Sequence, residues 1–257
     1  MKSWFYSKCL VVFVGMFAIV GCHKTTVNMR EMSPEDQYNH AKAIFDKRDF
    51  YKAKMQLLVA VLNNPGHRII EQAQFYLAES YFHLKEYDSA IEEYEKLIRS
   101  LPQSPFVDDA RYQVGMCYYK MSPGYALDQD NTWKAISQFQ YFLEEFPDSD
   151  LRPEVEKRMG ECRTKLAKKV YKTGELYRKM GYFRAAVLSF NTVLESYYDT
   201  EWADDAMYWK GVCHMKMREW ENGETVLTEF LQKYPDKPLF RKVEQLLRDI
   251  QKKKRIG

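Results

Sequence analysis

One cysteine in the sequence stands where its thiol could be acylated. Cys22 follows Ile19-Val20-Gly21 at the end of an apolar run from Leu10 to Val20, and Lys2 and Lys8 precede that run. A basic start, a short apolar stretch and small residues at its end are typical of a secretory signal peptide. Because cysteine occupies the cleavage point, the pattern predicts a lipobox. In a lipobox, the cysteine thiol, here that of Cys22, carries a diacylglycerol before the signal peptide is cleaved. The alternative is an ordinary signal peptide with Cys22 near the cleavage point by chance.

The predicted lipidation would organise the N-terminus. Residues 1–21 would be removed as the signal peptide, and residues 22–34 would form a lipidated linker. Buried acyl chains contribute about 0.8 kcal/mol per CH₂ group, which is enough for anchorage by lipid alone, without a transmembrane helix. His23 stands where aspartate usually retains a lipoprotein in the inner membrane of two-membrane bacteria. The sequence therefore favours attachment to the outer membrane.

Residue types that carry catalysis are present, but they form no catalytic pattern. The sequence has no His-Glu-x-x-His motif, no cysteine pair at metal spacing and no glycine-rich phosphate loop. Carboxylate pairs such as Glu92-Glu93 and Asp204-Asp205 are predicted to lie on solvent-facing helix surfaces. The histidines beyond the linker are scattered, at His40, His67, His83 and His214. We predict that the protein is not an enzyme and has no catalytic residue, metal ligand or cofactor.

The charge balance and the remaining cysteines exclude two further classes of protein. The formal net charge of +3 falls to +1 once Lys2 and Lys8 leave with the signal peptide. So weak a field does not favour nucleic acid as a partner. A chain of this length can fold without disulfides, so we interpret Cys117, Cys162 and Cys213 as packed thiols on helices.

Pairs of small residues recur along the chain and define five units. In four of the five pairs, the second small residue follows the first by 12 residues. A proline follows 12 residues later in every unit but the fourth, where Tyr198 replaces it. This repeat is typical of tetratricopeptide units, in which two antiparallel helices approach closely where small residue faces small residue. The pairs are Ala41 with Ala53, Ala78 with Ala90, Gly115 with Ala135, Gly174 with Ala186, and Gly211 with Gly223.

Two departures from this spacing predict special features. In unit three, the small residues Gly115 and Ala135 lie 20 residues apart, and the excess falls in residues 121–132. We predict a protruding loop there. Units three and four are separated by 14 extra residues that keep helical spacing after Pro153, so the first helix of unit four is predicted to extend backward by about four turns.

The sequence thus predicts an all-α fold, a tetratricopeptide-repeat superhelix (α-solenoid) of about five helical pairs plus a C-terminal helix. Residues 35–148 would form the N-terminal repeats, units one to three. Residues 149–257 would form units four and five and a capping helix, whose apolar stripe runs from Leu239 to Ile250. A terminal helix of this kind covers the last repeat of a solenoid and keeps it soluble.

The third and fourth units carry a resemblance to a known family. The stretch Ala126-Leu127-Asp128-Gln129-Asp130-Asn131-Thr132, followed by Phe146-Pro147-Asp148-Ser149, resembles the third repeat of the BamD family of outer-membrane assembly lipoproteins. Leu166-Ala167-Lys168-Lys169 is similar to the fourth-repeat entry of that family. The resemblance implies a periplasm-facing, non-catalytic scaffold of β-barrel assembly. Its C-terminal repeats would bind a BamA-like barrel protein, its N-terminal repeats would receive unfolded outer-membrane proteins, and other assembly lipoproteins are possible partners.

A candidate client groove follows from the register of the first helices. The residue three positions before the first small residue is aromatic in all five units. Exposed rings would suit an extended client segment, whereas rings that pack on their neighbours would be structural. The ladder is Tyr38, Phe75, Tyr112, Tyr171 and Tyr208, and the groove candidates are Tyr38, Lys42, Phe45, Phe75, Phe82, Tyr112 and Tyr119.

A candidate dock for the barrel protein lies on units four and five. We place it at the turns around Tyr197-Tyr198 and Arg218-Glu219. Repeat lipoproteins also serve as pilotin-like partners of secretins or pili and as cell-wall coordinators, since the fold alone does not choose a function. A cell-wall hydrolase is the alternative of another class, and it would need a catalytic constellation that the sequence lacks.

Overall fold

The computed structural model describes residues 31–256. Cys22 and the predicted signal peptide lie outside these residues. Eleven helices occur in the described part of the chain, and no strand does. The helices are α1 (Pro34–Asp46), α2 (Phe50–Asn63), α3 (Ile70–His83), α4 (Tyr87–Ser100), α5 (Val107–Met121), α6 (Asp130–Glu145), α7 (Arg152–Lys179), α8 (Phe183–Ser196), α9 (Ala203–Lys216), α10 (Trp220–Lys233) and α11 (Phe240–Ile256).

The helices pack in the order of the chain. Each contacts its sequence neighbours, so α1 to α10 form five antiparallel pairs and α11 follows the last pair. The predicted all-α superhelix of five pairs plus a C-terminal helix is confirmed. The first helix begins at Pro34, inside the expected linker, because Ser33 caps it: the Ser33 Oγ accepts the Asp36 N–H at 3.2 Å.

In four of the five pairs, a short turn joins the two helices. Each of these turns contains one residue in the left-handed backbone conformation. Arg48, Lys85 and Arg218 have φ of 62°, 63° and 61°, and Gly181 has φ of 82°. Each stands just past the end of a first helix, where this conformation directs the N–H back to a helix carbonyl, as from Arg48 to Phe45 at 2.8 Å. Three units therefore accept an unfavourable backbone angle at a basic residue to make the same turn.

The expectation that small faces small describes part of the packing between the two helices of a pair. A Cβ added to Gly115 would lie 2.5 Å from the ring of Phe139, and one added to Gly211 would lie 2.5 Å from Leu227. The small residue of a first helix thus accommodates a large side chain one turn beyond the small residue of its partner helix. The second small residue instead approaches backbone: a Cβ on Gly223 would lie 3.5 Å from the carbonyl oxygen of Gly211.

The unit-three loop is shorter than predicted and is bonded to α7. Helix α5 runs to Met121 and α6 begins at Asp130, so residues 122–129 form the loop. The buried Gln129 side chain donates to the Gly124 carbonyl at 2.9 Å. Two lysines of α7 hold the loop down, because Lys165 donates to the Ser122 Oγ and Lys169 to the Leu127 carbonyl, both at 2.7 Å.

Helix α7 confirms the predicted backward extension. It has 28 residues, twice the 14 of its partner α8. Val155, Cys162 and Leu166 from its N-terminal half are buried in one cluster with Phe139 and Phe142 of α6. Its C-terminal half packs on α8 instead. One helix therefore belongs to both the N-terminal and the C-terminal repeats.

The remaining core predictions are also confirmed. Val243 and Ile250 of α11 are fully buried against Phe230 of α10, so α11 caps unit five. The three cysteines beyond Cys22 are free and buried, as expected of packed thiols: Cys117, Cys162 and Cys213.

Candidate functional site

First helices of neighbouring units line the inner side of the superhelix. Besides the contacts between consecutive helices, α1 contacts α3 and α5 contacts α7. A stack whose first helices meet across units curves toward them, which creates the extended inner surface that repeat proteins use for binding. The groove candidates lie on α1, α3 and α5, and the structure adds the N-terminal half of α7.

An aromatic cluster with one cation forms the inner face of units one and two. The Lys42 ammonium lies 4.6 Å from the ring centroid of Tyr76 and 2.6 Å from the Asp46 carboxylate. The Phe45 ring meets Tyr76 edge-on at 5.1 Å, and the Tyr38 ring lies 6.3 Å from it. Tyr38, Lys42 and Phe45 are therefore brought together, around a ring that the sequence analysis did not select. Burial raises the pKa of Tyr38 to about 12, so its hydroxyl remains a donor at neutral pH.

Phe75 and Phe82 are half-buried and pack on their own neighbours. Phe75 stacks on Phe106, just before α5, at 4.9 Å. Phe82 meets Tyr87 of its own unit edge-on at 5.5 Å. These contacts favour the structural alternative for both rings, although each retains some exposed surface.

A buried carboxyl group joins units two and three. The Glu79 carboxylate accepts hydrogen bonds from the Tyr94 hydroxyl and, at 2.8 Å, from the Gln113 amide. Burial raises the pKa of Glu79 above its usual value, since the two hydrogen bonds do not fully compensate for lost hydration. Through these two hydrogen bonds, the Glu79 carboxyl group links α3 to α4 and α5.

The extension of α7 completes the inner face of unit three. Tyr119 donates its hydroxyl to Glu161 at 2.7 Å, and the Arg158 guanidinium lies over the Tyr119 ring at 5.5 Å. Arg158 also pairs with Glu154 at 2.6 Å. Tyr112, three residues before Gly115, is half-buried, and its ring centroid lies 6.2 Å from that of Phe139. The spacing of Glu154, Arg158 and Glu161 was the available sequence signal, and it was missed.

The predicted ladder is not continuous. Tyr38, Phe75, Tyr112 and Tyr208 are half-buried, whereas Tyr171 is buried. The reason is Trp202, whose ring lies 5.0 Å from that of Tyr171. Tyr171 is thus a core residue, and it interrupts the row of partly open rings between unit three and unit five.

The dock candidates separate into buried and accessible residues. Tyr197 is buried, under the guanidinium of Arg163 at 5.8 Å, and so cannot offer an exposed surface as expected. Tyr198 next to it is 61% exposed. Arg218 is exposed in its left-handed turn, and the half-buried Glu219 contacts the His214 Nδ1 at 2.7 Å. Three of the four dock candidates, Tyr198, Arg218 and Glu219, therefore remain accessible to a partner.

Exposed apolar side chains near the turn of unit four were missed by the sequence analysis. They are Leu176, Met180, Tyr182 and Leu188. The other units are mostly polar at the positions of Tyr182 and Leu188, so an alignment of the five units would have found these two. At the positions of Leu176 and Met180, the other units carry mostly small or apolar residues, so the alignment would not have marked them.

Residues 31–256 contain neither a metal-binding cluster nor a membrane-spanning helix. No group of three or more His, Cys, Asp and Glu side chains in this range is placed to hold a metal ion. Over the same range, no helix combines the length and the apolar character that a membrane span requires.

Comparison with known proteins identifies the family. A family model described as YfiO, outer membrane lipoprotein, matches residues 30–226, well over half of the 257 residues. The chain belongs to this family of outer membrane lipoproteins. The match spans the first four units and most of the fifth, including the unit-three loop and the long α7.

Curated relatives confirm the resemblance to the BamD family. The chain is 24% identical over 171 residues to the outer membrane protein assembly factor BamD of Rickettsia prowazekii, covering 66% of this chain and 68% of that protein. It is also 24% identical over 123 residues to BamD of Caulobacter vibrioides, covering 48% of this chain but only 40% of the relative.

Solved structures of helical repeat proteins are also similar. A tetratricopeptide repeat protein of Bacteroides fragilis matches 85% of this chain and 99% of its own, with 13% identity and a TM-score of 0.49. One from Parabacteroides merdae matches 86% of this chain and 74% of its own, with 14% identity and a TM-score of 0.37. With TM-scores below 0.5, these likenesses carry no weight for function.

Proposed function

We propose that the protein is a lipid-anchored, non-catalytic scaffold of outer-membrane β-barrel assembly. It binds a BamA-type barrel protein through units four and five and unfolded outer-membrane proteins through the inner face of units one to three. The observation that carries this proposal is the family match over residues 30–226, together with relatives that are themselves assembly factors. Other assembly lipoproteins are further partners.

The anchor is the acylated Cys22, which holds the protein to the periplasmic side of the outer membrane. Replacing Cys22 by serine removes the thiol, so Cys22→Ser is expected to yield an unlipidated precursor or a mislocalised protein. Membrane fractionation with a labelled fatty acid measures this. Normal outer-membrane recovery with undiminished label in the variant would show that Cys22 is not the anchor.

The client surface is the cluster around Tyr76. Tyr38 and Lys42 retain exposed surface there, and both reach the same ring from α1. A client with aromatic and carboxylate groups near its C-terminus would find ring faces and an ammonium group side by side. We expect Tyr38→Ala combined with Lys42→Ala to weaken photocrosslinking to a C-terminal peptide of an outer-membrane protein by about tenfold.

A matched control removes an exposed ring elsewhere. Tyr141→Ala deletes a tyrosine that is 59% exposed on the outer side of α6. It is expected to leave peptide crosslinking unchanged. If the Tyr38 and Lys42 double variant, folded by circular dichroism, crosslinks as well as this control, the client surface lies elsewhere.

The dock for the barrel protein is the exposed part of the turns in units four and five. Tyr198→Ala combined with Arg218→Ala removes the two most accessible candidates while sparing the buried Tyr197. Purification in mild detergent through a C-terminal tag should recover a BamA-like protein with the wild type and markedly less with this variant. Recovery of a secretin or of cell-wall enzymes with the wild type would instead support a pilotin-like or cell-wall-coordinating role and overturn the proposal.

A further inference from the structure

The outward face of α2 differs from the same face of the other second helices. Counted from the small residue of each second helix, the outward positions are −2, +2, +5 and +9. In α2 all four are apolar, whereas elsewhere polar side chains dominate. The residues are Tyr51, Met55, Leu58 and Leu62 in α2; Asp88, Glu92, Glu95 and Arg99 in α4; Trp133, Ser137, Gln140 and Glu144 in α6; Arg184, Leu188, Asn191 and Glu195 in α8; and Glu221, Thr225, Thr228 and Gln232 in α10.

These four α2 residues, the outer stripe, lie on one side of the helix. Steps of four, three and four residues keep them within an arc of about 60° at roughly 100° per residue. Tyr51, Met55 and Leu62 are 65%, 45% and 67% exposed, while Ala53 and Leu57 on the opposite side are fully buried. Leu58 is half-buried, because it also packs on the core of units one and two. A helix that is apolar on both sides is normally covered on both. The outer stripe of α2 is therefore an interaction surface.

The charges of α2 indicate what covers the stripe. Its charged residues are Lys52 and Lys54, and it has no carboxylate. Lys54 is mostly buried and pairs with Glu86 at 2.8 Å, so Lys52 is the exposed cation of the helix. The turn that leads into α2 exposes Lys47 and Arg48 together with Asp46 and Asp49, so residues 46–63 carry a net charge of +2. By contrast, α4, α6 and α10 each carry a net negative charge. Apolar side chains that include a tyrosine, flanked by cations, are the composition of helices that lie in the interface of a phospholipid bilayer.

The position of α2 in the chain supports the same partner. Eleven residues, 23–33, separate the acylated Cys22 from the start of α1 at Pro34. Even fully extended, they reach about 40 Å. Unit one is thus confined near the membrane surface, and it is the unit that carries the stripe.

We propose that the outer stripe of α2 rests on the phospholipid surface and fixes how the superhelix is oriented at the membrane. This rests on the proposed Cys22 anchor, which brings unit one within reach. The acyl chains prevent escape, and the stripe sets the angle: Tyr51, Met55 and Leu62 enter the headgroup region while Lys52 and Arg48 contact phosphate groups. The inner face, on the other side of unit one, then points away from the bilayer.

The test uses the full lipidated protein in vesicles of phosphatidylethanolamine and phosphatidylglycerol that contain a phospholipid with a photoreactive acyl chain. After irradiation, mass spectrometry should find lipid adducts in the α2 peptide well above those in the α10 peptide. Tyr51→Ser, Met55→Ser and Leu62→Ser together should reduce the α2 adducts about tenfold. Leu188→Ser is the matched control, since it removes a leucine of α8 that is as exposed as Leu62 but lies outside the stripe, and it should leave the α2 adducts unchanged.

Flotation of the same vesicles separates failure of the stripe from failure of the anchor. If the wild type floats but α2 gains no more adducts than α10, or the folded triple variant keeps them, the stripe does not contact lipid. If the wild type does not float, the anchor is wrong and the proposal falls with it. Leu62→Cys tests another occupant: a disulfide-linked dimer in place of lipid adducts would assign the stripe to a second copy of the chain.

Discussion

Units two and four place a glutamate at the same position but treat it in opposite ways. Glu79 follows Ala78 and Glu175 follows Gly174, each one residue past the first small residue of its unit. Burial raises the pKa of Glu79, whereas the hydrogen bond from Lys172 lowers the pKa of Glu175. The repeat therefore determines the position of the carboxyl group in the first helix. The residues around the carboxyl group determine whether it is buried and links helices or lies at the surface as an ion.

The same contrast extends to the two blocks of the superhelix. In units one to three, aromatic rings of the first helices remain partly open on the inner side. In unit four the equivalent ring, Tyr171, is covered by Trp202, and cations lie outside it: the Lys168 and Lys172 ammonium groups are 5.7 and 5.9 Å from the Trp202 ring. Units one to three thus keep these rings partly open on the inner side, whereas unit four buries its equivalent ring in the core.

The largest expected effect tests whether the C-terminal block depends on its cap. Ile250 is fully buried between α11 and α10, so Ile250→Ala should destabilise unit five by about 2–5 kcal/mol. Hydrogen exchange should speed up in α10 and α11 but not in α1 to α4. Uniform loss of protection along the chain would show that the two blocks unfold as one unit and would end the distinction between them.

The next effect compares close packing in the two blocks. Gly115→Ala and Gly211→Ala each insert a methyl group 2.5 Å from a large side chain, and each should cost about 1–3 kcal/mol in urea unfolding. Gly160→Ala is the control, because nothing lies within 4 Å of its added Cβ. It should stabilise α7 by about 0.5–1 kcal/mol. A mild effect at one of the two packed glycines would show that its block is the more adaptable.

Opposite pH dependences are expected of the two glutamates, with effects on the order of 1 kcal/mol. The raised pKa of Glu79 means that the folded state holds its proton longer, so wild-type stability should fall relative to Glu79→Gln as pH rises above the usual glutamate range. The lowered pKa of Glu175 gives an advantage over Glu175→Gln that is present at neutral pH and is lost on acidification. Urea unfolding of the three proteins between pH 4 and 8 measures both slopes, and parallel slopes would contradict the assignment.

The smallest effect concerns a polar contact within unit four, between the N-terminal half of α7 and the end of α8. Arg163 donates to Asp199 at 2.7 and 3.0 Å and to the Ser196 carbonyl at 2.9 Å. Both charged groups are partly exposed, so Arg163→Ala should cost no more than about 1 kcal/mol. A much larger loss in thermal unfolding would mean that this pair, rather than the apolar core, holds α7 and α8 together.

The sequence predicted the helices well because a solenoid repeats the same packing of two helices in every unit. The small residues, the closing prolines and the helical spacing after Pro153 each report local geometry, so the five pairs, the long α7 and the cap followed directly. The detail of small against large did not follow, since Gly115 faces Phe139 only once the crossing of the two helices is known. Periodicity shows which residue of a helix lies at a contact, but it does not identify the residue of the other helix that it contacts.

The candidate site was predicted less completely, because exposure depends on contacts between units. Tyr171 and Tyr38 occupy the same register, yet only a structure shows that Trp202 covers one of them. Tyr76 and Arg158 were missed for the same reason, as each contributes to the inner face from a neighbouring helix. Tyr197 appeared beside the exposed Tyr198 in sequence but is turned into the core.

The uninterrupted course of α7 also works as a ruler. At 1.5 Å per residue, its 28 residues span about 42 Å, and its only proline, Pro153, lies in the first turn. A ligand on Tyr119 and Arg158 and another at the exposed Met180, just past the end of α7, would therefore be held at a nearly constant separation. Under the proposed function, a client bound at the first position would lie at a set distance from a partner bound at the second, because the helix between them does not bend.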